Sequence, residues 1–469
     1  MLFAMKLKKL ISCCLLAAMA VTMLAGCKGG SSGDSDGKVT ITIGSWPGET
    51  ATDAEKQKFE DRLKRMNEKY PNIEIIPDTS DMSLKAFAAK ASSNQLPNLF
   101  LTHFTEVQKV INQGYCADLT EAMNKNGYTQ SLNPILTDLV SRDGKMWAIP
   151  QNTYAIGIAC NKNLFTKAGL VNADGTIKIP STYDELVEAA VTIKEKTGKP
   201  GIAIPTMNNY GGFYFTMIAW NFGTNFIKEG SDGKYTATFN TNECVSALSF
   251  YKDLKWKYNV LPDNVFIDRA EARKLFATDQ AGMYFDSPPA QVLMSKYNMD
   301  KDNLVFGKAP AGKESRISLM GGSVYMVSPN STPEQIDAIM KWIDICGEGP
   351  SVSDESLAAL EKSFQTDIAD GNIVTDKNAF NIWINDDLIK KQTDLRAKYT
   401  NIDPNNFADY YGFDDVTIKA EEYPCCQQLY SILDGGVQAV LTNKDADVKK
   451  LVKEMNDNFQ KNHLDKWED

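Results

Sequence analysis

Several polar and aromatic side chains stand directly after short apolar segments of the sequence, where a chain leaves a strand. Their types suit the recognition of a sugar, because a ring stacks on the C–H face of a pyranose while carboxylate and amide groups bond to its hydroxyls. The edge beyond the carboxyl ends of strands is also where α/β sheets bind ligands. The candidates at these positions are Trp46, Glu49, His103, Asn152 and Tyr154.

The aromatic and histidine candidates each have an alternative role. Trp46 precedes Pro47-Gly48, which favours an exposed stacking ring over one packed inside an element. The aromatic-rich residues 210–222 are mostly core material, and within them we expect Tyr210 and Trp220 to lie near the ligand. His103 could exchange hydrogen bonds with a ligand, or it could be a loop histidine without a role.

Metal and enzyme chemistry find little support in the sequence. The chain has two histidines, His103 and His463, and no C-x-x-C pair, so we expect no metal site and no cofactor. A G-x-S-x-G pattern at residues 29–33 stands in a polar, glycine-rich stretch rather than between a strand and a helix, so it is not a nucleophile elbow. A surface glycoside hydrolase with paired carboxylates remains the rival class.

Strand and helix patterns alternate along the chain. Residues 39–43 alternate apolar and polar side chains as a half-buried strand does, and Phe59, Met66 and Tyr70 then fall on one helical face. A second strand at 72–76 follows, which implies a parallel pair with a right-handed crossover. The sequence therefore predicts an α/β fold.

Capping residues mark two later helices. Thr182 and Glu185 have the spacing of a capping box, and so do Thr332 and Gln335. Residues 202–204, which include two isoleucines, predict a strand after the first of these helices.

The first 27 residues have the pattern of a lipoprotein leader. Three lysines precede the apolar residues 10–24, which are fewer than the ~20 residues of a membrane-spanning helix. Leu24-Ala25-Gly26-Cys27 is similar to the bacterial lipobox, where cleavage before the cysteine exposes a thiol that carries a diacylglycerol. We therefore expect a signal peptide at 1–26, a flexible tether at 27–37, and attachment through Cys27 to the outer face of the cell membrane.

Length and composition limit the number of domains, the kinds of binding partner and the role of disulfides. A length of 469 residues favours two domains over one core, and a net charge of −10 argues against nucleic-acid binding. The cysteines beyond the leader are scattered, and a chain of this length does not depend on disulfides. We expect mostly free, buried thiols at Cys116, Cys160, Cys244, Cys346, Cys425 and Cys426.

The order of these segments resembles that of the family 1 extracellular solute-binding proteins, the maltose-binding-like receptors of ABC importers. The likeness covers most of residues 38–460, although Asp279 stands where the family usually has glycine. It rests on five stretches in a shared order: DGK at 143–145 with Trp147 and Ile149-Pro150, NKNLFTKAGL at 161–170, PSTYDEL at 180–186, FATDQAGM at 276–283, and GGS at 321–323.

The resemblance implies two lobes, each a mostly parallel sheet flanked by helices, joined by hinge strands. Lobe one would comprise residues 38–149 and about 323–370, and lobe two residues 150–322 and about 371–469. Pro150 would keep one hinge strand extended, because proline fixes its own φ and restricts the residue before it. The alternative is a proline that merely ends an edge strand.

The resemblance also adds site residues. Asp286 and Ser287 follow one of the similar stretches, and Gly322 and Ser323 stand at the return crossing. Pro288-Pro289 occupies the place where the family often carries an aromatic residue, so one stacking platform is missing. A groove that contains Glu49 and Asp286 would alternatively suit a cationic solute.

The function that the resemblance implies is that of a lipid-anchored receptor, a monomer without enzymatic activity. It would close on a mono- or oligosaccharide and deliver it to the permease subunits of an ABC importer. A receptor for a polyamine or a peptide is the alternative, as is a protein that feeds a sensor kinase, and a surface glycoside hydrolase is the more distant one.

Overall fold

The computed structural model describes residues 37–467, except residues 50, 52, 81–83, 314 and 379. The leader at 1–26, Cys27 and nearly all of the tether at 27–37 lie outside the described residues. The strands within the described part are β1 (Val39–Ile43), β2 (Ile73–Pro77), β3 (Leu99–His103), β4 (Ser141–Arg142), β5 (Lys145–Met146), β6 (Ile149–Ala155), β7 (Gly157–Asn161), β8 (Ile227–Glu229), β9 (Tyr235–Ala237), β10 (Met283–Asp286), β11 (Leu304–Gly307), β12 (Ile317–Val327) and β13 (Thr417–Ala420).

Helices alternate with these strands, which confirms the predicted α/β fold. They are α1 (Asp53–Lys69), α2 (Leu84–Ser92), α3 (Val107–Asn112), α4 (Thr120–Lys125), α5 (Tyr128–Ser131), α6 (Thr137–Val140), α7 (Lys162–Ala168), α8 (Tyr183–Thr197), α9 (Tyr210–Asn221), α10 (Asn242–Trp256), α11 (Arg269–Ala277), α12 (Val292–Ser295), α13 (Pro333–Ile345), α14 (Asp354–Ala369), α15 (Asp386–Tyr399), α16 (Cys426–Thr442) and α17 (Val448–Asn462).

Local sequence signals explain where several elements begin and end. In β1, Ile41 and Ile43 are buried while the threonines beside them are not, as the alternation predicts. The capping box of α13 is present in full: Thr332 accepts from the backbone of Gln335, whose side chain accepts from the backbone N–H of Thr332. Such a cap is worth about 1 kcal/mol, because it satisfies N–H groups that the helix leaves free.

A six-stranded sheet forms the first of two lobes. Its strand order is β13, β12, β3, β1, β2, and β6 pairs with β12 as well. β1 runs parallel to β3, whereas β12 runs antiparallel to both β3 and β6. We call the part built on this sheet the first lobe.

The second lobe is built on the three-stranded sheet β10, β7, β11, which differs from the mostly parallel sheet that was expected. Both outer strands pair antiparallel with β7. β7 begins at Gly157, directly after β6 ends at Ala155, so it runs on from the crossing while its neighbours run the opposite way. Parallel pairing in this region consists of two isolated bridges, one between Ile202 and Met283 and one between Thr182 and Ala311.

The prediction of a strand at residues 202–204 is therefore wrong. This segment forms only the isolated bridge between Ile202 and Met283. Its backbone donors are divided between two partners: Gly201 and Ile202 donate to Val260, and Ala203 donates to Met283. A continuous ladder to one neighbour cannot form when successive N–H groups are divided in this way.

Two antiparallel strands, β6 and β12, pass between the lobes within one compact unit, Thr40–Asp469. Pro150 lies opposite Val324, and the pairing register shifts between Ser323 and Val324. A bulge at this point suits a proline, because proline has no N–H to give to the ladder. The hinge role of this step stays a prediction, as do the lobe bounds.

The tract from 347 to 424, which the sequence left hardest to place, contacts both lobes. Glu348 pairs with Arg62 of α1 at 2.8 Å, and Trp383 forms an isolated bridge with Leu132. Further on, Phe407 and other buried residues join a core cluster with the sheet of the second lobe.

The cysteines follow the sequence prediction. All six within the described residues are free thiols, and every one is buried except Cys425, which is half-buried. Burial raises the pKa of the Cys116 thiol to about 12, so that thiol stays protonated at neutral pH.

Candidate functional site

Three of the predicted site residues lie side by side across the sheet at the crossing. Ser323 of β12 pairs with His103 of β3 on one side and with Asn152 of β6 on the other. Directly paired residues of adjacent strands carry their side chains on the same face. His103 and Asn152 are exposed and Ser323 is half-buried, so the row offers imidazole, hydroxyl and amide groups at one surface.

Two glycines of β12 allow close approach beside this row. A Cβ on Gly321 would come within 2.5 Å of the Tyr154 hydroxyl, and a Cβ on Gly322 would come within 2.3 Å of the Asn152 carbonyl oxygen. Tyr154 stands two residues after Asn152 on the same strand and therefore shares its face. Gly322, a predicted ligand contact, thus has a steric role that lets the neighbouring strand approach.

Asp286, at the end of β10, is completely buried and fully engaged. Its carboxylate accepts from Arg269 Nη2 at 2.6 Å, from Arg273 Nε and Nη2 at 2.8 Å each, from the Tyr284 hydroxyl at 2.6 Å and from Ser287 N at 2.9 Å. Burial alone would raise the pKa of Asp286, but the two guanidinium groups and the Tyr284 hydrogen bond lower it. The carboxylate therefore holds two arginines in place, instead of the direct ligand contact that the sequence predicted.

Arg269 connects this cluster to the tyrosines of the surface. Its guanidinium carbon lies 5.6 Å from the centre of the Tyr210 ring, a cation–π distance. The pKa of Tyr154 is raised first by burial and then by the carboxylates of Glu421 and Asp286, while Arg269 opposes the rise. Tyr154, Tyr210 and Arg269 thus form one electrostatically coupled group beside the row of β-strand side chains.

A segment near the C-terminus approaches from another side. The Tyr430 hydroxyl donates to Glu421 at 3.0 Å, and the Gln427 amide donates to Thr105 of the first lobe at 3.4 Å. Burial raises the pKa of Glu421 to about 7; the Tyr430 hydrogen bond opposes the rise and the nearby Glu106 adds to it. Glu421 therefore changes charge close to neutral pH.

The two tryptophans predicted at the ligand make other contacts. The Trp46 ring stacks on Trp342 at 5.8 Å and meets Phe59 edge-on at 4.9 Å. The Trp220 side chain is buried, and its indole N–H donates to Glu422 at 2.7 Å. The structure does not expose Trp220 to a ligand, because α9 is buried along almost its whole length.

The remaining predicted residues are Glu49 and Ser287. Glu49 is exposed in the turn after β1, and its carbonyl oxygen accepts from Lys56 at 3.0 Å. Ser287 is half-buried, and its backbone N–H is engaged by Asp286. Their contacts with a ligand stay predictions.

Sequence reasoning missed the arginines. Arg269 and Arg273 stand four residues apart at the start of α11, directly after its cap Asp268. That spacing places both on one helical face, and it was a readable signal of a paired cationic site. Glu421 carried no such signal, because its environment comes from residues distant in the chain.

A cavity of about 760 Å³ lies elsewhere, against α1 and α14. Its lining carries acidic and basic side chains together, among them Arg62 and Glu348, which pair with one another. We place the candidate site at the crossing instead, because groups from both lobes meet there and several of them are exposed.

The surface is suited to noncovalent recognition by hydrogen bonds, ring contacts and charge. Within the described part of the chain, no three histidine, cysteine or acidic side chains are grouped as a metal site would require. None of the described helices combines the length and apolarity needed to cross a bilayer.

Comparison with known proteins shows which family model and which relatives the chain matches. The family model for bacterial extracellular solute-binding proteins matches residues 33–345. The melibiose/raffinose/stachyose-binding protein MelE of Bacillus subtilis is 28% identical over 187 residues, which cover 39% of this chain and 40% of MelE. A Brucella abortus protein named as a binding protein is 24% identical over 339 residues, 70% of this chain and 76% of that protein.

Solved structures confirm the fold. The GacH receptor of Streptomyces glaucescens, solved unliganded and in complex with acarbose, superposes with a TM-score of 0.67 at 19% identity and covers 92% of this chain and 100% of GacH. Such neighbours have the two-lobe architecture of periplasmic binding proteins, which the two sheets and their crossing strands reproduce. The matched family and these named relatives are binding proteins or receptors, not enzymes.

Proposed function

Because the chain belongs to the bacterial extracellular solute-binding protein family, we propose that it is the lipid-anchored receptor of an ABC importer. In this proposal it binds a mono- or oligosaccharide at the crossing of the two lobes and delivers it to the permease. The observation that carries the proposal is the row of His103, Ser323 and Asn152, with Tyr154 beside it, on β3 and on the two strands β6 and β12 that join the lobes.

The chemistry of this surface favours a hydroxylated solute. Imidazole, hydroxyl and amide groups both donate and accept hydrogen bonds, as a sugar hydroxyl does. The Tyr210 ring, half-buried beside them, supplies an apolar face for sugar C–H groups. MelE is named for the binding of melibiose, raffinose and stachyose, and GacH was solved in complex with acarbose, which supports the same class of ligand.

Binding is expected to close the lobes. Each lobe alone offers part of the contacts, so a solute that touches both stabilises the closed state more than the open one. β6 and β12 are the strands that would bend in this motion. X-ray scattering of the protein with and without a bound sugar should show a smaller radius of gyration in the bound form.

Calorimetry with a panel of mono- and oligosaccharides tests the ligand class. We expect Asn152→Ala to weaken binding of the sugar found by about fivefold, which corresponds to the loss of one hydrogen bond. Asn240→Ala is the matched control, since Asn240 is an exposed asparagine in the loop before α10. If no sugar gives a binding heat and polyamines or peptides do, the proposed substrate class is wrong.

The anchor has its own test. Mass spectrometry of the protein purified from membranes should show cleavage before Cys27 and a diacylglyceryl group on its sulfur. Cys27→Ala should release the protein from the membrane fraction while leaving sugar binding intact. Membrane retention of the variant would refute the lipid anchor without touching the binding proposal.

A further inference from the structure

Two arginines share a single carboxylate at the candidate site. Arg273 engages Asp286 through both Nε and Nη2, and the Tyr284 hydroxyl and the Ser287 backbone donate to the same carboxylate. Arg269 adds only its Nη2, at 2.6 Å. One negative charge therefore faces two positive charges, and the pair retains an excess charge of +1.

Asp286 does not occupy the whole Arg269 guanidinium. The Asp286 side chain is 0% exposed, whereas the Arg269 side chain is 24% exposed, so the carboxylate lies behind the guanidinium as seen from solvent. Within the described residues, Arg269 Nε is buried and has no hydrogen-bond partner. The Tyr210 ring packs at 5.6 Å from the same guanidinium and restrains its position.

Carboxylates on the neighbouring elements have ion-pair or hydrogen-bond partners of their own. Glu106 pairs with Lys109 at 3.7 Å. Glu422 accepts from the Trp220 indole at 2.7 Å and pairs with Lys419 at 3.2 Å. Glu421 accepts from Tyr430, and burial favours its protonated form.

The excess positive charge of Arg269 and Arg273 is therefore local to their cluster with Asp286. On α11 itself, Glu271 pairs with Lys274 at 3.6 Å, away from the Asp286 cluster. An arginine with unused donors, held beside aromatic rings and backed by a shared carboxylate, is suited to bind a carboxylate or phosphate group of a ligand.

We infer that Arg269 selects an anionic solute: a saccharide that carries a carboxylate, such as a uronic acid, or a phosphate. This inference rests on the proposed function and narrows its substrate class. The acidic group would lie against the exposed part of the Arg269 side chain, while the hydroxyls of the same solute reach the row of His103, Ser323 and Asn152.

The first experiment identifies which glycans of a mixture the protein binds. The mature chain is incubated with a mixture of neutral, uronate-containing and phosphorylated oligosaccharides, separated by gel filtration, and the retained glycans are identified by mass spectrometry. Retention of uronates or of phosphates supports the inference and tells the two sources apart. Retention of neutral glycans alone overturns the inference and leaves the proposed function standing. Retention of no glycan refutes both.

The second experiment measures the charge directly. Affinity for the retained acidic glycan should fall at least roughly tenfold in Arg269→Gln and less in Arg269→Lys. Affinity of the unsubstituted protein should also fall as salt rises, which needs no variant and therefore holds even if Arg269→Gln folds poorly. A salt-independent affinity, or equal affinity of a folded Arg269→Gln, would show that Arg269 only supports Asp286.

Discussion

Replacement of Glu421 by glutamine should stabilise the protein in a manner that depends on pH. Glu421 is half-buried, accepts from Tyr430 at 3.0 Å and lies near the carboxylate of Glu106. Glutamine keeps an oxygen that can accept from Tyr430 and removes the charge that burial disfavours. The variant therefore isolates the cost of an ionised Glu421 in the folded state.

The magnitude follows from the pKa. Burial raises the pKa of Glu421 from 4.5 to about 7, so the folded state holds the proton more tightly than the unfolded chain. The stability that this proton contributes is complete below pH 4.5 and is lost as the pH rises through 7. Each pKa unit is worth about 1.4 kcal/mol, so the whole cost is about 3 kcal/mol at alkaline pH.

Urea unfolding at about pH 5, 6.5 and 8 measures the effect. The free energy of unfolding of Glu421→Gln, relative to the unsubstituted protein, should rise by about 2 kcal/mol between pH 5 and pH 8. Glu121→Gln, at an exposed position on α4, controls for the loss of one negative charge. If the curves of Glu421→Gln and the unsubstituted protein stay parallel across this range, Glu421 is not a proton-binding group near neutral pH and the reasoning fails.

Two further substitutions probe the site. Asp286→Asn should lower the free energy of unfolding by about 3 kcal/mol or more, because two guanidinium groups lose their shared carboxylate; a loss under about 1 kcal/mol in urea unfolding would contradict this. Gly321→Ala should displace Tyr154 and lower the free energy of unfolding by about 1–3 kcal/mol. The same variant should bind the sugar more weakly, as measured by calorimetry. Gly435→Ala, where a Cβ meets open space within α16, should instead stabilise by about 0.5–1 kcal/mol, and equal effects of the two would refute the steric argument.

Local signals in the sequence predicted several of the helices and strands. The alternation in β1 and the Thr332 capping box needed only neighbours within a few residues, and both are present in the structure. His103 and Asn152 were expected just after strands; the structure has His103 as the last residue of β3 and Asn152 within β6, and their contact with a ligand stays a prediction. The predictions of β1 and of the Thr332 cap hold because periodicity and capping act over one or two turns of chain.

The sequence by itself determined the α/β class, the caps and the residue types available at the crossing. Only the tertiary structure decided that Asp286 is enclosed by Arg269 and Arg273, that Trp220 is buried, and that Glu421 lies near Glu106, more than 300 residues away in the chain. The physical reason is that burial and charge depend on every group within a few ångströms, and folding brings such groups together from distant parts of the chain.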